Sequence, residues 1–109
     1  MSTNLKEKII QLADEMQSDM VKCRRDLHQH PEPGWTEFRT AAKVAAALQE
    51  LGYEVSTGKA VIDEASMMGT PSEDKLKAEQ ARAIAEGADK TWVEKMTGGL
   101  TGVLGVMHF

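Results

Sequence analysis

The sequence predicts an α/β domain, and three observations carry that expectation. Apolar residues recur at helical spacing over two separate stretches near the N-terminus. The second stretch ends at Gly52 and passes directly into Tyr53-Glu54-Val55, which alternates as a strand does. A glycine-spaced apolar segment, Thr101 to Met107, reads as a second strand. The chain has 109 residues, one modest domain's worth. With 41% apolar and 28% charged residues it is globular in composition rather than disordered.

The first helix is expected near residues 5–29. Leu5, Ile9, Leu12, Met16, Met20, Cys23 and Leu27 follow one another at spacings of 4, 3, 4, 4, 3 and 4, one helical stripe among Lys, Glu, Asp, Gln and Arg. Asn4 is placed to cap it, with Glu7 three residues later. Pro31 and Pro33 end it, and His30-Pro31-Glu32-Pro33-Gly34 reads as a tight loop. A second helix is expected near 36–51, with Thr36 as cap, Phe38, Ala41, Ala45 and Leu48 inward, and Gly52 as its left-handed terminator. A strand follows near 53–56. Residues 58–70 give no clear signal beyond the apolar pairs Val61-Ile62 and Met67-Met68. Thr70-Pro71-Ser72-Glu73 predicts a third helix near 71–86, capped by Thr70 and closed by Gly87. Its apolar face is thin, with Leu76, Ala83 and Ile84. Asp89 caps a short piece holding Trp92, Val93 and Met96, which stops at Gly98-Gly99. The final strand is expected near 101–107 as a buried one. Two strands alone are marginal in water, so the pattern reads as the beginning of a larger fold.

The charge balance excludes some functions. The net charge of -4 and the absence of a clustered basic face argue against a nucleic-acid partner. Apolar runs fall far short of the ~20 residues that span a bilayer, so no membrane partner is expected. Met1-Ser2-Thr3-Asn4 leads into charged residues without an apolar signal core. The single cysteine, Cys23, permits neither an intrachain disulfide nor a Cys-based zinc site, and a cytoplasmic location is expected.

Few residues suggest chemistry. His28 and His30 stand two apart beside Glu32, but a catalytic metal needs three converging ligands, and the structural reading of this pair is preferred. Arg24-Arg25-Asp26 fits a solvated face with dipole complementarity better than a carboxylate-binding fork. Cys23 lies on the apolar stripe and is expected to be buried and inert. Gly98-Gly99 with Gly102 and Gly105 lacks the lysine and helix of a phosphate loop. No catalytic or metal-ligating residue is assigned, and substrate-binding residues remain unknown.

One stretch carries a family resemblance. Arg24-Arg25-Asp26-Leu27-His28-x-His30-Pro31-Glu32, then Gly34-Trp35-x-Glu37-Phe38-Arg39-Thr40-Ala41, resembles the opening of the M20 metallopeptidase and amidohydrolase family. Leu48-x-x-Leu51-Gly52-Tyr53-x-Val55 and Gly98-Gly99-x-Thr101-Gly102 continue the likeness, and the stretch Val61 to Pro71 is similar to the aminobenzoyl-glutamate branch. The resemblance implies that residues 1–109 are the N-terminal portion of a single α/β catalytic domain, its helices and first two strands. The rest of that domain and a lid or dimerisation domain would be absent. It implies an amidohydrolase releasing glutamate from an aminobenzoyl amide, a folate breakdown product, and two divalent metal ions, manganese or zinc, in the full-length family. It also implies a homodimer partner or a related hydrolase subunit. The family's Cys-Gly-His-Asp-x-x-His metal motif has no counterpart in this sequence, and the early His-x-His block is not part of that metal set. His108-Phe109 departs from the usual continuation. No cofactor is therefore assigned to this chain itself, and the chain alone is expected to be inactive. The competing expectations are a helical structural domain without a ligand and a non-catalytic interaction module that docks on a related subunit.

Overall fold

The computed structural model describes residues 2–109. They form two compact units that divide between Pro31 and Glu32.

The first unit is one helix, α1 (Ser2–Gln29), ending just before the proline that restricts its predecessor. Asn4 lies inside its first turns, so it does not cap the helix as expected. The stripe forms one face as the spacing requires, but Leu5, Ile9, Leu12, Met16 and Met20 are all exposed, at 63, 58, 44, 57 and 61%. Cys23 is exposed too, against the expectation of a buried thiol. The physical reason is general: periodicity tells which residues share a face, not whether anything covers it.

The second unit packs three helices and a small sheet. The helix α2 (Phe38–Glu50) contacts both strands of an antiparallel pair, β1 (Glu54–Thr57) and β2 (Val103–Val106). Glu54 faces Val106 and Thr57 faces Val103. The helices α3 (Glu73–Ala85) and α4 (Lys90–Glu94) pack against α2 and each other. Phe38, Ala41, Ala42 and Ala45 of α2 meet Leu76, Ala83, Trp92, Val93 and Met96 in one core. Phe38, Val93 and Met96 are completely buried. Alanines at three of the four inward α2 positions let the other helices approach closely, and the large side chains fill the space that remains.

The helix ends show where local signals succeed and fail. α2 and α3 close on the same hydrogen-bond pattern. Gly52 N–H donates to Gln49 and Tyr53 N–H to Leu48, while Gly87 N–H donates to Ile84 and Ala88 N–H to Ala83. Both glycines carry the positive φ this closure requires, +92° and +97°. Asp89 caps α4 as expected, accepting from Thr91 N–H at 2.9 Å. α3, however, is capped by Ser72, whose hydroxyl accepts from Lys75 N–H at 3.3 Å, and not by Thr70. Pro71 holds Thr70 out of helical geometry, so the helix begins after both. Thr36 does not cap α2 either: it is fully buried, and its hydroxyl donates to the Pro33 carbonyl at 2.7 Å.

Residues 58–70, without a clear sequence signal, fold into two 3-10 turns, Gly58–Ala60 and Glu64–Ser66. β2 is shorter than expected and not buried throughout: Val103 and Gly105 are half-buried, while Leu104 and Val106 stand exposed at 49 and 40%. With α2 covering one face of a two-stranded sheet, period-two alternation leaves the other face open. Among the described residues no helix is long and apolar enough to cross a membrane.

Candidate functional site

The residues that carry the family resemblance fall on both sides of Pro31, and each unit holds its own. On α1, His28 is exposed in the last turn and Arg24 and Arg25 are exposed before it. His30, just past the helix, donates from Nδ1 to the Asp26 carbonyl at 2.9 Å, with the Asp26 carboxylate 3.6 Å away. This is a helix-terminus contact made by His30 alone.

In the second unit the centre of the block is Glu32. Its Oε2 accepts from Arg39 N–H at 2.8 Å, and its Oε1 accepts from Thr40 N–H at 2.9 Å and from the Thr40 hydroxyl at 2.7 Å. These are the first turn of α2, where backbone N–H groups have no partner inside the helix. A carboxylate seven residues upstream thus does what an adjacent Ser or Thr would do, with the added attraction of a negative charge for the helix N-terminus. Sequence reasoning missed this role, because a cap is sought next to the helix and not across a loop. The signal that could have found it is the pairing of Glu32 with Thr40, an acid and a hydroxyl flanking a proline-glycine turn.

The same turn anchors α3. Arg39 Nε donates to the Glu86 carbonyl at 3.2 Å, tying the start of α2 to the end of α3. Arg82 Nε donates to Glu79 at 2.8 Å, and its Nη1 lies 3.5 Å from Glu86. The hydrogen bond to Glu79 pushes the Arg82 guanidinium above its ordinary pKa, burial opposes this, and attraction from Glu79, Glu86 and Glu32 adds to it. The carboxylates here hold helix ends and guanidinium groups, which makes them positioning groups rather than proton-transfer groups.

Trp35 is the second notable residue of the block. It is the one non-glycine residue with positive φ among those described, at +67°. Its indole N–H donates to the Met68 carbonyl at 2.8 Å, 33 positions away. Its backbone lies against Gly99, where an added Cβ would meet the Trp35 carbonyl at 3.0 Å. Gly98 and Gly99 both take positive φ after α4, Gly99 alone in close packing, and Gly102 packs on Val61 and Ile62.

The family's metal centre can be tested against these residues. Among those described, no three His, Cys, Asp or Glu side chains converge as a ligand set. The residues present do not fit such a centre.

No family model matches the chain. Relatives do. It is 43% identical over 89 residues to indole-3-acetyl-aspartic acid hydrolase of Enterobacter agglomerans, covering 82% of this chain and 20% of that protein. It is 39% identical over 101 residues to the A subunit of p-aminobenzoyl-glutamate hydrolase from Escherichia coli K12, covering 93% of this chain and 23% of that protein. The fold matches the crystal structure of an aminobenzoyl-glutamate utilization protein from Klebsiella pneumoniae with a TM-score of 0.87 at 41% identity, over 90% of this chain and 25% of that one. The chain is similar to M20-type hydrolases over most of its length. It spans a fifth to a quarter of the length of the relatives it matches.

Proposed function

We propose that this chain is the N-terminal portion of the α/β catalytic domain of a metal-dependent amidohydrolase. The substrate is an amide joining an aromatic acyl group to an acidic amino acid, in first place aminobenzoyl-glutamate, with release of glutamate. The supporting observation is the 39–43% identity, over most of this chain, to two proteins whose names share that chemistry, one naming an aroyl amide of glutamate and the other an arylacetyl amide of aspartate. In this reading the two divalent ions, the general base and the residues that hold the amino acid's carboxylates belong to sequence outside these 109 residues. The chain's own contribution is a scaffold: Glu32 fixes the first turn of α2, and α2 carries the first two strands of the sheet. The cytoplasm is the proposed location. The proposed partner is a related hydrolase chain, supported by the relative from Escherichia coli being named as one subunit of its enzyme.

The test begins with the nucleotide sequence downstream, read in all frames for Cys-Gly-His-Asp-x-x-His. The gene's complete product is then assayed for glutamate release from p-aminobenzoyl-glutamate with manganese or zinc. Motif and turnover together are expected. Absence of the motif from every frame would overturn this reading in favour of a free-standing interaction module, a role for which the exposed stripe of α1 is suited.

A further inference from the structure

We draw no further inference here: the strongest candidate, the exposed apolar stripe along α1 formed by Leu5, Ile9, Leu12, Met16 and Met20, carries nothing because nothing in the structure shows what covers it.

Discussion

Glu32 and Thr40 are joined twice: one carboxylate oxygen accepts from both the backbone N–H and the hydroxyl of Thr40, at 2.9 and 2.7 Å. With the bond from Arg39 N–H, this makes Glu32 the cap of α2 from across the Pro33-Gly34 turn. Glu32→Ala is expected to cost about 2 kcal/mol, since it removes a charge-assisted cap and leaves partly buried donors without a partner. Glu32→Gln keeps an acceptor and is expected to cost about half as much. Urea unfolding of the three proteins, compared at equal m-value, measures both. Equal stability of all three would show that water replaces the carboxylate without loss.

The link between Trp35 and Met68 gives a second expectation. Trp35→Phe keeps a ring and removes the indole N–H, for a loss of about 1 kcal/mol. The effect should be local, because the other hydrogen bonds of residues 61–67 are made within the segment or to Gly58. Hydrogen exchange is expected to rise over residues 61–70 and stay unchanged in α2. A uniform rise across the second unit would mean that Trp35 supports the core instead.

Much of this fold was legible because its signals are local. Apolar spacing located α1, α2 and α3, and Gly52, Gly87 and Asp89 marked ends that the structure places where the sequence does. What stayed hidden depends on distance along the chain. The cap of α2 comes from Glu32 across a turn, and Trp35 reaches Met68 over 33 positions. The fate of the α1 stripe was hidden for another reason: a regular face reads the same whether covered or open. The candidate site suffered most, since Trp35 is tied to Met68, in a segment whose secondary structure the sequence does not signal.

Two glycines separate backbone strain from crowding. Gly58 has φ +66° and is buried, and a Cβ there would lie 2.7 Å from the Lys95 carbonyl oxygen. Gly69 has φ +68° with nothing within 4 Å. Gly69→Ala should cost only the left-handed penalty of about 1 kcal/mol. Gly58→Ala must also displace backbone and should cost about 2–4 kcal/mol. Thermal melts of the two variants rank them directly, and equal losses would mean that the loop before α3 relaxes freely.

Cys23 is exposed on α1, so its thiol should react with a soluble disulfide reagent in the folded chain, one equivalent per chain and at a rate near that of the unfolded protein. Labelling that waits for denaturant would mean that the α1 face is covered in solution.

The last expectation concerns the reaction. Amide hydrolysis by this family's chemistry needs a polarising metal, a water of lowered pKa and a placed base. His30 is engaged with Asp26, His28 is exposed two residues before it, and His108 is exposed at the far end beside Glu54, at 3.9 Å. The carboxylate of the shared motif, Glu32, is occupied by three donors and is poorly placed to accept a proton from water. The 109-residue chain alone is therefore expected to release no glutamate from p-aminobenzoyl-glutamate, with manganese or with zinc. Stray divalent ions bind weakly to exposed histidines and carboxylates, so metal affinity by itself decides nothing. The deciding comparison sets the chain beside its His28→Ala/His30→Ala double variant and beside the complete gene product. Activity is expected in the complete product alone. Turnover by the short chain that the double variant abolishes would show that the two histidines are ligands and that these 109 residues make a complete small enzyme.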